Sequence, residues 1–140
     1  MPNWGEFNLS TAVQVGDSHS FTREITAHDI ETFADLVGDH NPVHMDEAYA
    51  ATTRFGRRIA HGMLSAGLIS AAIANGWPGT IYLSQTLQFR APVYLGDTVT
   101  TQVTIATVRS DKPILTFRTV CHNQDDTLVV EGEAVCLIPA

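Results

Sequence analysis

Met63-Leu64-Ser65-Ala66-Gly67-Leu68-Ile69-Ser70-Ala71-Ala72-Ile73-Ala74 carries no charge, and only its serines interrupt an apolar surface that runs round every side of a helix. A helix hydrophobic on all faces must be buried. In a chain of 140 residues, the rest of the sequence has to wrap it. A bilayer span needs about 20 apolar residues, so this shorter segment predicts a core element and no membrane partner.

The wrapping follows in sequence. From Ile81 the period changes to two: Ile81, Leu83, Leu87 and Phe89 share one parity, and Tyr82, Ser84, Thr86, Gln88 and Arg90 the other. The pattern predicts a strand. Val99 to Val108, Ile114 to Cys121 and Leu128 to Leu137 predict three more, separated by the turn-forming runs Ser110-Asp111-Lys112-Pro113 and Asn123 to Asp126. Strands joined by short turns pair antiparallel, and Ser18 to Ile25 could add an edge strand. One buried helix with an antiparallel sheet curled round it is an α+β arrangement. Such a sheet leaves an edge and part of an apolar face uncovered, so a homodimer is expected.

The length fits one hydrophobic core, which typically occupies about 100 to 150 residues, and the chain shows no repeat, low-complexity tract or linker, so residues 1–140 are expected to form a single domain. Hydrophobic residues make up 44% and charged residues 16%, a composition that folds. The net charge of −7 disfavours nucleic acid and anionic membrane, which require a basic face. Cys121 and Cys136 fall in predicted strands with no second pair nearby, so neither a disulfide framework nor a zinc site is expected. Met1 to Glu6 shows no basic stretch leading into an apolar run, the pattern of a secretory signal. A cytoplasmic location is expected.

Upstream of the buried helix, Thr26 and Asp29 have the spacing of a capping box ahead of Ile30, Phe33, Ala34 and Val37, which share a helical face. This helix should end near Gly38, and Asn41-Pro42 forbids its continuation. Asp39 to His44 is therefore predicted to be a turn. Asp46 is placed to cap a short helix over 46–53. A loop bearing Arg54, Arg57 and Arg58 then leads to His61-Gly62.

The densest polar group lies on that turn: Asp39-His40-Asn41-Pro42-Val43-His44. An acid and an imidazole converging on one water can remove a proton from it and pass one on, since their ordinary pKa values of about 3.9 and about 6.5 bracket mild acid/base work. The same residues could equally form a turn with a packed histidine, because Asp, Asn and Pro are common turn formers.

Gly38-Asp39-His40-Asn41-Pro42-Val43-His44-Met45-Asp46 resembles the D-x-N-P-x-H hydratase motif of the MaoC-like (R)-specific enoyl-CoA hydratases, and Ile59-Ala60-His61-Gly62-Met63-Leu64 resembles the H-G-M segment opening their central helix. Tyr82 to Gln85, Phe89 to Val93 and Gly96 to Val99 look like that family's next strand and turn. The likeness runs over about residues 20 to 138 and is nearest to the short hydratases that supply polyhydroxyalkanoate synthesis. It implies a hot-dog fold, a homodimer, an acyl-CoA thioester substrate, and neither metal nor organic cofactor. The reaction implied is reversible hydration of a trans-2-enoyl-CoA to the (R)-3-hydroxyacyl-CoA, linking fatty-acid oxidation to polymer precursors.

Position by position, the resemblance makes Asp39 and His44 the acid/base pair, and the mechanism expected of them has Asp39 taking a proton from water and His44 delivering one to C2. Asn41 would orient the pair, and the Gly62 N–H would face the thioester oxygen. His61 and Ser70 are candidate substrate contacts, and one of Arg54, Arg57 and Arg58 could meet the CoA phosphates. A dehydratase of acyl carrier protein substrates and a thioesterase share the fold and remain alternatives.

Overall fold

The computed structural model describes residues 13–138; the leader-free reading of Met1 to Glu6 lies outside them. Strand β1 (Ser18–Glu24) leads into helices α1 (Ala27–Val37), α2 (Pro42–Met45), α3 (Glu47–Ala51) and α4 (Gly62–Gly76). Strands β2 (Ile81–Gln85), β3 (Gln88–Phe89), β4 (Thr98–Val108), β5 (Ile114–His122) and β6 (Leu128–Leu137) complete the order. The strands form one antiparallel sheet in the order β1-β4-β5-β6-β2, with β3 also paired to β6.

Alternation decides which side of the sheet holds the core. Val99, Val103 and Ile105 of β4 point inward, as do Leu115, Phe117 and Cys121 of β5, and all are buried. In β6 the register shifts opposite Cys121 and His122, which lets the consecutive residues Val129 and Val130 both be buried. Helix α4 lies on this inner face against β4, β1 and β5, where Ile69, Ala72 and Ile73 enter the same cluster. Trp77, just past its end, meets Phe117 at 5.0 Å between ring centroids. Cys121 and Cys136 are buried free thiols.

Three expectations change. Helix α4 is not buried on all sides: Met63, Gly67, Ser70 and Ala74, spaced at helical intervals, are exposed on this chain. The strand predicted from Ile81 to Arg90 is broken, because Thr86 turns its N–H to the Glu133 carbonyl at 2.9 Å and accepts the Glu133 N–H on its hydroxyl at 3.0 Å. That bond pattern separates β2 from β3. The turn from Asp39 to His44 contains a helical turn, α2, because proline is well tolerated at the first position of a helix even though it cannot continue one.

Candidate active site

Helix α1 begins with both bonds of the capping box, Asp29 N–H to the Thr26 hydroxyl at 3.1 Å and Thr26 N–H to the Asp29 carboxylate at 3.0 Å. It ends at Gly38, whose φ of 84° is a left-handed conformation that costs glycine nothing. The chain thereby turns sharply and presents Asp39. The Asn41 N–H donates to the Asp39 carboxylate at 3.2 Å. The Asn41 side chain caps α2 by accepting the Val43 N–H at 3.2 Å, so the contact of Asn41 with the Asp39 carboxylate is made through its main chain.

One turn of α2 carries His44 inward, to 9% exposure. Its Nδ1–H donates to the Ile59 carbonyl at 2.8 Å, which leaves Nε2 without a proton in the neutral ring. Arg58 is itself buried and donates from Nε to the His44 carbonyl at 2.6 Å. Burial pushes the His44 pKa below the ordinary imidazole value and the neighbouring His61 adds to this, against the opposing effects of the Ile59 bond and of Asp39. His44 is therefore neutral at pH 7, a ready proton acceptor.

His61 occupies the N-cap position of α4 and is 2% exposed. Its Nε2–H donates to the Asp39 main-chain carbonyl at 3.0 Å, and its ring lies 4.0 Å from that of His44 and 4.9 Å from that of Phe33. Asp39, His44 and His61 each bring one donor atom within 4.8 Å of the other two. That spacing would also admit a cation, for which the family resemblance gives no role.

Two cavities meet here. One, of about 680 Å³, has the buried His44, His61 and Ser65 in its wall together with Gly62, and the exposed Arg54 and Arg90 at its rim. The other, of about 670 Å³, contains Asp39, Val37, Gly67, Ser70 and Leu83. Met63 lines both. The acid and the imidazole thus open on adjoining spaces, and Ser70 shares a space with Asp39, not with Gly62. A β-carbon on Gly62 would fall 2.6 Å from Cε1 of Phe89, so any side chain at Gly62 would have to displace that ring.

Of the three arginines singled out in the sequence, only Arg54 reaches the cavity. Arg57 stacks on Tyr94 at 3.9 Å and Arg58 braces His44 from behind. Sequence reading missed Arg90 and Ser65. The strand pattern set Arg90 in the same parity as Ser84, Thr86 and Gln88, and nothing in it indicated that the rim of a cavity lay there.

Residues 11–123 match the family described as MaoC like domain. The chain is 48% identical to an (R)-specific enoyl-CoA hydratase of Rhodospirillum rubrum over 91% of its own length and 90% of the relative's. It is 43% identical to an (R)-specific enoyl-CoA hydratase of Aeromonas caviae, over 91% and 97% of the two chains. Among solved structures, the (R)-hydratase from A. caviae involved in PHA biosynthesis superposes with a TM-score of 0.89 at 42% identity, covering 93% of this chain and all of that one. That similarity gives the sheet and central helix described above their hot-dog identity.

Proposed function

The chain belongs to the MaoC-like domain family, and on that premise we propose that it is an (R)-specific enoyl-CoA hydratase, adding water reversibly to a trans-2-enoyl-CoA, with Asp39 and His44 as the catalytic pair. The observation that carries the assignment of residues is a neutral, buried His44 with its Nε2 bare, a ring nitrogen of which lies within 4.8 Å of an Asp39 carboxylate oxygen near the opening of α4.

A water held between the two gives one hydrogen bond to each. Because His44 is held neutral with Nε2 free, the first proton transfer goes to His44 and not to Asp39, which instead orients the water and stabilises the imidazolium. The hydroxide oxygen bonds to C3, the C2=C3 electron pair shifts toward the thioester, and the imidazolium returns its proton to C2. One proton enters His44 and one leaves. Negative charge accumulates on the thioester oxygen during the addition, and the N–H of Gly62 at the positive end of α4 is the donor suited to it.

The exposed guanidinium groups of Arg54 and Arg90 at the cavity rim are placed for the CoA phosphates, the anionic part of the substrate. Arg90 also pairs with Glu131 at 3.2 Å, which fixes its direction. The exposed stripe of α4 shares a cavity with Val37, Tyr82 and Leu83, beside β2, an edge strand among the described residues. This continuous apolar surface is the contact for a second copy, so the enzyme is a homodimer with Asp39 at the margin of the interface. The buried thiols, with Cys136 pushed up to about 11 by burial, fit a reducing compartment and a cytoplasmic enzyme. Among the described residues no helix is long and apolar enough to cross a membrane.

Hydration of crotonyl-CoA, followed by loss of enoyl absorbance with free thiol monitored in parallel, tests the reading. Asp39→Asn and His44→Ala should each fold and lose at least about a thousandfold in kcat/KM, more than 4 kcal/mol of transition-state stabilisation. Because His44 must be neutral to accept a proton, kcat/KM should fall on the acid side, with a midpoint below the ordinary imidazole value of about 6.5. Thiol release would instead make the protein a thioesterase, and near wild-type turnover by either variant would remove that residue from the mechanism.

A further inference from the structure

We propose that His61 is a positioning residue for the hydration reaction, holding the Asp39 main chain through its Nε2–H and setting the distance between acid and base through its ring. The inference rests on the hydratase reading and assigns His61 a different task from the substrate contact expected of it.

Four observations carry it. The Asp39 carbonyl can only accept, so the Nε2 of His61 must bear the proton in their 3.0 Å bond. This bond joins the turn after α1 to the opening of α4 across 22 positions of sequence. The imidazole of His61 is in contact with the imidazole of His44 on α2 and the phenyl ring of Phe33 on α1, so it sets the separation of three helices. At 2% exposure it presents almost no surface to a substrate, and its Nδ1 is buried with no hydrogen-bond partner among the described residues.

Asp39 itself is exposed, and a carboxylate on an exposed turn would otherwise sample several positions. Its side chain is tied locally by the Asn41 N–H, a bond within the same turn that cannot register the turn against α4. The His61 bond supplies that registration. A displacement of about 1 Å in a reacting group costs about a hundredfold in rate, so losing the bond should slow the chemical step while leaving the CoA-binding rim, formed by other residues, intact.

Glutamine can place its side-chain nitrogen near the position of imidazole Nε2, whereas asparagine reaches only the position of Nδ1. In steady-state hydration of crotonyl-CoA, H61Q should retain kcat to within about tenfold, while H61N and H61A lose about a hundredfold in kcat with KM changed by less than about threefold. Equal losses in H61Q and H61N, or a loss expressed mainly in KM, overturn the proposal. Melting temperatures identify variants that fail to fold. If H61N and H61A fail, a hundredfold loss of kcat in a folded H61Q is enough to overturn it.

Nitrogen–proton correlation spectra of the unmodified protein give a readout independent of turnover. They should show His61 as the Nε2-protonated tautomer, and an Nδ1-protonated ring overturns the proposal. A wild-type protein that does not hydrate crotonyl-CoA would defeat the hydratase reading, while the spectrum would still decide whether His61 holds Asp39 as described.

Discussion

The two sides of α4 are equally apolar in sequence and opposite in fate. Leu64, Ile69, Ala72 and Ile73 are sealed against the sheet, while Met63, Gly67, Ser70 and Ala74 face outward. The difference shows that hydrophobicity all round a helix predicts burial without saying by what. The sheet of this chain packs on one face through β4, β1 and β5, and Leu83 of the edge strand β2 lines a cavity with the other, Ile81 and Leu83 both being exposed. A second copy covering the outward face, as proposed, would account for its composition.

The comparison breaks if both faces respond alike to truncation. Ile69→Ala, at a fully buried position, should cost about 2–5 kcal/mol in urea unfolding, the usual range for deleting an aliphatic side chain from a packed core. Ser70→Ala, the next residue and exposed, should change stability by less than about 0.5 kcal/mol. Equal costs would mean that α4 is sealed on both sides within one chain.

Gly67→Glu probes the outward face as a contact between copies. A carboxylate buried there without a partner is strongly unfavourable, so the dissociation constant of the dimer should rise at least about a hundredfold, equivalent to about 2.7 kcal/mol. Sedimentation velocity at micromolar protein concentration reads this directly. In a monomer the same glutamate lies in solvent on a helix and improves its propensity by up to about 1 kcal/mol over glycine, so the protomer itself should remain folded. A dimer unchanged by Gly67→Glu would place the contact elsewhere.

Where the signal was local, the sequence was legible. Thr26 and Asp29 form the expected capping box and Gly38 the expected stop, because a cap is built from residues three apart. Alternation located β4, β5 and β6 to within a residue, because each is buried on one face only. The pair Asp39 and His44 was visible as a dense polar turn, and Asp46 caps α3 as expected.

What escaped was long-range or too short to have a period. Four residues of α2 cannot display a helical repeat, so Pro42 read only as a stop. Arg58 sits beside Arg57 in sequence, yet one is buried against the His44 carbonyl and the other lies on Tyr94, and no local pattern separates them. The partnership of His61 with Asp39 spans two helices and a loop, and a histidine at a helix start carries no mark of what it will hold.

Ser65 sharpens the comparison at its smallest scale, because it lies on the buried side of α4 and also lines the cavity with His44. It is 1% exposed, and its hydroxyl has no hydrogen-bond partner among the described residues. A buried, unsatisfied hydroxyl costs about 1–3 kcal/mol, and alanine is the better helix former by about 0.5 kcal/mol. Ser65→Ala should therefore raise the stability of the ligand-free protein by about 1 kcal/mol, seen as a higher melting temperature, with kcat/KM within about threefold of wild type. That outcome makes Ser65 part of the packed side of the helix. A tenfold loss of kcat/KM despite the gain in stability would instead mean that its hydroxyl is kept free for the substrate, and the boundary between core and active site would move one helical turn further along α4.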